Sequence, residues 1–252
     1  MFGAYDAADG TDGALTGRMI PVSPPPLPRS VLVGAWAAIL GPIVYVTTWA
    51  VAGALRDGYS PTRDAISELG ELGASTAPAM TAAFVLFGLS ALPFARVADR
   101  LPGAGRLLQV AIVVTGVATA GAGVFPCSAG CPGPGSSFTD NGHSVVATVG
   151  YIALMACPLL SGRAAIHAGA RRFGWTSVAL GAVGVLGMTA WVLGLAGDAH
   201  GGLLQRGFNT VADVWWVMAG VVLLTGTASA RNTRTPKYVE RSTTDSTPWE
   251  RR

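Results

Sequence analysis

Residues 31–55 read VLVGAWAAILGPIVYVTTWAVAGAL, without one acidic or basic side chain. A helix rises about 1.5 Å per residue, so about 20 apolar residues cross a hydrocarbon core of about 30 Å. This stretch is long enough to do so. A cleavable secretory signal would place a shorter apolar core nearer the start, followed by a small-residue cleavage site, so the stretch reads as a retained span. Five more segments pass the same test, at about 77–95, 107–125, 145–161, 176–196 and 211–229. None alternates polar and apolar residues with period two, as barrel strands must. The expected fold is therefore an all-α membrane protein, a six-transmembrane-helix bundle.

Composition agrees with that reading. Of 252 residues, 50% are hydrophobic and 12% charged, with mean hydropathy +0.46, whereas a soluble domain carries about 25% charged residues. A soluble fold of this size could not cover its surface with so few charges. Residues 1–30 are polar and Gly-rich and end in PVSPPPLPRS, which predicts a disordered, Pro-rich arm. The transmembrane domain is expected over 31–229. Residues 230–252 have too little apolar surface to pack and read as a disordered cytoplasmic tail. Counting Lys and Arg by side puts fourteen of seventeen with the two termini and leaves only Arg56, Arg63 and Arg206 opposite. The positive-inside rule then places both termini in the cytoplasm. The net charge of +3 marks orientation, and no nucleic-acid partner is implied.

Glycines and alanines such as Gly116, Ala120, Gly181, Gly184 and Gly187 suit close helix packing. Trp36, Trp49, Trp175, Trp215 and Trp216 fall near the ends of the expected spans and read as interfacial belt residues first and ligand platforms second. The outer loops collect Asp57, Asp64, Glu68, Glu71, Asp140 and Asp198, so the polar chemistry is expected on the outer face. After span one, Ser60-Pro61 is a good helix start, which predicts a short helix from residue 61 to about 69 with Asp64, Glu68 and Glu71 on one acidic face and Ile66 and Leu69 on another. Carboxylates so spaced repel. Three outcomes are open: water screens them, a cation or an Arg such as Arg206 pairs with them, or one keeps its proton.

In the second outer loop Cys127 and Cys131 enclose three residues. On an oxidising face they read as a small-loop disulfide. A zinc site would want two further ligands, which His143 and His200 supply only through folding. His143 follows the capping residues Thr139 and Asp140 at the start of span four, where it can serve as base, ligand or hydrogen-bond donor. His200 sits in a Gly-rich loop, and Asp213 in the first turn of span six. No Walker loop, dinucleotide fingerprint, HExxH or GxSxG occurs, and no metal or cofactor is implied.

Several strings carry a family resemblance. YSPTRDAISELGELGASTAP at 59–78, FP at 125–126, DNGHSVVATVGY at 140–151 and GLLQRG at 202–207, with the Trp pair after it, resemble the uncharacterised six-span bacterial family called domain of unknown function 998. That family is similar in architecture to membrane proteins of the Frag1 type. The resemblance covers about 31–226 and implies a fold and a polar outer face, with no catalytic residues to carry over. Tyr59, Ser60, Asp64, Ser67, Glu68, His143, Gln205 and Arg206 are the positions that match its motifs, and the Cys127 to Cys131 insertion departs from its usual shorter loop.

The leading expectation is a protein of the bacterial cell membrane, enzyme or binding protein, whose outer pocket receives a lipid, isoprenoid or other apolar small molecule. Asp64, Glu68 and His143 are the candidate catalytic residues; Tyr59, Ser67, Gln205, Arg206, Asp213 and Trp216 are the candidate substrate-binding ones. Membrane lipid and an apolar ligand are the expected partners, with oligomeric state open. A non-catalytic accessory protein is the alternative. A proton-coupled transporter is disfavoured because the mid-span positions read as apolar.

Overall fold

A computed structural model describes residues 26–232, with side chains through 225. The arms expected at 1–30 and 230–252 fall, apart from the few residues adjoining the helices, outside the described residues. Six helices make up the domain: α1 (Arg29–Leu55), α2 (Ala77–Val97), α3 (Arg106–Val124), α4 (Phe138–His167), α5 (Arg171–Val192) and α6 (Gly197–Asn232). Each supplies a segment long and apolar enough to cross a membrane. In hydrocarbon every backbone N–H and C=O must be satisfied within the segment, and such apolar stretches meet that demand as helices.

Each helix packs on its neighbours in the chain, and α6 closes the ring by packing on both α5 and α1. Large side chains such as Leu40, Leu86, Val117 and Leu186 face outward, as they would toward lipid tails. Small residues set the contacts inside. At the α2–α3 crossing a Cβ on Gly88 would stand 2.5 Å from the carbonyl oxygen of Gly116, and on α5 one on Gly187 would meet Phe208 of α6. Gly181 and Gly184 likewise admit Leu159 and Met155 of α4.

The centre is aromatic. Trp216 lies between Phe87 and Phe94, both ring centroids 5.0 Å away, and Trp215 donates its indole N–H to Ser177 Oγ at 3.1 Å. Both tryptophans are fully buried, which corrects their reading as belt residues and places Trp216 in the core. Trp36 and Trp175 remain exposed.

The error traces to helix ends. α6 starts at residue 197, against an expected 211, and α4 spans Phe138–His167, against an expected 145–161. His200, Gln205 and Arg206 are thus on helix rather than loop. Asp213 lies not in a first turn but about four turns in, about 24 Å along the axis. The mid-span positions are therefore not uniformly apolar. The segments 56–76 and 125–137 and the turn before α6 gather at one end of the ring, called here the loop end.

Candidate functional site

The expected helix from 61 to 69 does not form as one element. Ser60-Pro61 starts a single turn, in which the amides of Arg63 and Asp64 donate to the Ser60 carbonyl at 3.0 and 2.8 Å. The chain then extends at Ala65 and re-enters a 3₁₀ turn over Ile66–Gly70. Its backbone groups are claimed by α6 instead of by a helix of its own. Arg206 Nη1 donates to the carbonyls of Pro61 at 2.7 Å and Asp64 at 2.8 Å, and Gly202 and Leu203 donate their amides to Arg63 and Thr62 at 3.0 and 2.9 Å. Gln205 Oε1 accepts from the Ile66 amide at 2.7 Å. Ile66 and Leu69 are buried on the bundle.

Arg206 is the centre of this clamp. Its Nη2 donates to the Tyr59 hydroxyl, and its guanidinium lies 5.4 Å from the ring centroids of Trp49 and Tyr59. The Tyr59 hydroxyl donates to the Ala65 carbonyl at 2.9 Å. Burial pushes the Tyr59 phenol upward, against the opposing pull of Arg206. Among the described residues no carboxylate pairs with Arg206, so of the three alternatives for the acidic residues that one is not formed; its N–H groups go to backbone carbonyls and the Tyr59 hydroxyl instead.

The acids serve separate ends. Asp64 accepts from the Ser60 amide at 2.7 Å and pairs with Arg63 at 2.6 Å. Burial works to raise its carboxyl, but Arg63 and the Ser60 amide outweigh that and hold it below the usual range. Glu71 pairs with Arg56 at 2.5 Å and accepts from the Gly130 amide at 2.6 Å, tying the two loops together. Asp140 holds the second loop through Ser128 and Ser137 at 2.6–2.8 Å. Ser137, not Thr139 or Asp140, caps α4. Cys127 and Cys131 are joined in a disulfide, with Cα atoms 5.0 Å apart. Among the described residues no three His, Cys, Asp or Glu side chains converge as a metal site requires.

Beside this clamp a cavity of about 500 Å³ opens under both loops. Glu68, Ser67, His143 and Gln205 are among its polar lining, and Ile152, Met188, Trp191 and Val192 among its apolar lining. A smaller cavity of about 50 Å³ adjoins it, sharing Ser67, His143, Ala147 and Tyr151 and lined further by Tyr45 and Asn209. Glu68 Oε1 accepts from the Ala65 amide at 2.8 Å. Its carboxyl is pushed above the usual range by burial, with the charges of Asp64 and Glu71 adding to the effect, against the lowering by the Ala65 amide. His143 Nδ1 lies 2.8 Å from the Phe125 carbonyl. A carbonyl only accepts, so Nδ1 carries the proton and Nε2 of a neutral ring is left as acceptor.

The structure thus brings Ser67, Glu68, His143 and Gln205 together at one cavity. Tyr59, Asp64 and Arg206 hold the loop beside it, Trp216 belongs to the core, and Asp213 lies on a different surface. Tyr151 and Trp191 also line the cavity and are not among the residues expected there. Tyr151 had a signal: His143, Ala147 and Tyr151 repeat every four residues, one face of α4. Trp191, at the end of α5, had none.

The model of the family described as Protein of unknown function (DUF998) matches residues 39–222. The chain belongs to that family. No curated protein and no solved structure matches this DUF998 chain, so the chemistry of the cavity rests on its own residues.

Titration separates two of those residues by sign. A raised Glu68 takes its proton in the folded state first, so acidification through that value stabilises the fold, and the gain is complete below the unfolded value near 4.5. Asp64, held low, stabilises above its unfolded value near 3.8, and that contribution is lost as pH falls further. Glu68→Gln is expected to abolish the mild-acid gain and leave the Asp64 loss in place. Melting curves in detergent between pH 3 and 7 check this, and an unchanged profile contradicts it.

Proposed function

We propose that the chain is an integral protein of the bacterial cell membrane, with both termini cytoplasmic, whose outward-facing cavity takes a lipid, isoprenoid or other apolar small molecule by its polar end. The excess of Lys and Arg on the terminal side supports the orientation. The reading is carried by the mixed lining of one cavity, in which Glu68 and His143 stand among the apolar side chains of Ile152, Met188, Trp191 and Val192. A pocket with a mostly apolar lining and few convergent polar groups fixes the head of an amphiphile and buries its tail. Glu68 with its raised carboxyl and His143 with its free Nε2 are the groups suited to exchange a proton with that head. Asp64, tied to Arg63 and Ser60, is assigned to loop placement instead.

The clamp centred on Arg206 favours a second reading, a non-catalytic accessory protein whose loop end is itself the functional surface. Binding of a fluorescent isoprenoid alcohol to the protein in nanodiscs decides between them. A hydrogen bond contributes about 0.5–1.5 kcal/mol between neutral groups and about 1.5–3 kcal/mol to a charged one, so Glu68→Gln is expected to weaken binding about tenfold and His143→Ala about twofold to tenfold, with melting temperature little changed. Equal affinity in wild type and both variants, or no binding at all, favours the accessory reading.

A further inference from the structure

A second cavity lies on the flank of the bundle, between α1 and α6. These helices run antiparallel and pack on each other. Toward one end a Cβ on Gly220 would meet Ile39 and the carbonyl of Ala35; toward the other Arg206 lies over Trp49. On their flank lies a groove of about 420 Å³ lined by Pro42, Ile43, Val46, Thr210, Asp213, Val214 and neighbours. Ile43 and Val214 are exposed, so the groove opens on the surface that faces lipid. Pro42 is central in Arg29–Leu55 and Asp213 near the middle of the apolar segment Gly197–Thr225, which sets the groove at mid-membrane depth.

Asp213 is only 4% exposed, and its Oδ2 has no hydrogen-bond partner. Neither of the ion pairs among the described residues involves it. An ionised carboxylate at this depth without a cation beside it costs several kcal/mol, so the group stands as the neutral acid with an O–H to donate. An unused donor in hydrocarbon is itself costly, and the groove that Asp213 lines gives a partner a way in from the lipid side.

We propose that this groove is an intramembrane ligand site in which the Asp213 carboxyl donates a hydrogen bond to the carbonyl of a long-chain neutral lipid. Depth selects the class. Phospholipid esters and headgroups lie at the interface, about 15 Å from the midplane, whereas a neutral molecule whose single polar group is a ketone or quinone carbonyl can carry that group to Asp213. The apolar lining takes the chain. This site is separate from the cavity under the loops and does not depend on the reading given to it.

The test uses the whole protein in nanodiscs treated with dicyclohexylcarbodiimide, an apolar reagent for protonated carboxyls, with modification of Asp213 read by peptide mass spectrometry. Asp213 is expected to be labelled. Decylubiquinone as competitor is expected to lower that labelling about fivefold beyond decane at the same concentration, the factor that one hydrogen bond adds to contact of the apolar chain alone. Ile43→Trp, which fills the groove from its lipid side, is expected to suppress labelling while the melting temperature is kept. An unlabelled Asp213 overturns the proposal, as does equal protection by decylubiquinone and decane, or undiminished labelling in Ile43→Trp.

Discussion

Arg206→Ala is expected to release the 56–71 loop from α6 and to lower stability by at least about 3 kcal/mol. The side chain donates to the carbonyls of Pro61, Asp64 and Gly202 and to the Tyr59 hydroxyl, and it is 6% exposed. Hydrogen bonds from a charged donor contribute about 1.5–3 kcal/mol each, without simple additivity, and acceptors left behind in a buried site cost more than exposed ones. For a domain of this size the loss corresponds to a fall of roughly 6–12 °C in melting temperature. A second readout locates the effect. The Arg63 carbonyl, held by the Gly202 amide, must come free for trypsin to cut after Arg63, so cleavage there is expected to speed up. Arg206→Lys keeps the charge but not the fork of five donors, and is expected to recover only part of both losses. Wild-type melting and cleavage in Arg206→Ala would mean that the clamp does not hold the loop.

Trp216→Ala is expected to cost about 3–5 kcal/mol, as for other buried aromatic truncations. Its ring fills the space between Phe87 and Phe94, and the surrounding helices are held at fixed separation by contacts such as Gly88 on Gly116, so the void closes poorly. Probe affinity per folded molecule is expected to stay at the wild-type value, because Trp216 does not line the loop-end cavity. A variant with wild-type melting and lost binding would return Trp216 to the ligand surface.

The six helices were legible because hydropathy over about 20 residues is a local property that lipid enforces without reference to neighbours. Helix ends were not. The polar runs GDAHGGLLQRG and DNGHS look like loop, yet they are helical, since Gln205 and Arg206 find partners in a segment some 140 residues earlier. Moving the start of α6 outward also moved Asp213 and the Trp pair inward, from an interface to the interior. The same long-range bonds explain the missing helix at 61–69: Ser60-Pro61 favours one locally, but the carbonyls it would use are taken by Arg206, Gly202 and Leu203. The matched motif residues therefore divide by role. Tyr59, Asp64 and Arg206 build the loop, and Ser67, Glu68, His143 and Gln205 face the cavity beside it.

The cavity under the loops is expected to hold an apolar molecule. Native mass spectrometry of the protein released from detergent, wild type beside Ala147→Trp, tests it most directly, because Ala147 lines both the cavity and the smaller one adjoining it. A bound species of lipid mass is expected on the wild type and not on Ala147→Trp, with Glu68→Gln retaining it in part. Wild-type protein that flies bare, or a bound species equally present on Ala147→Trp, contradicts it.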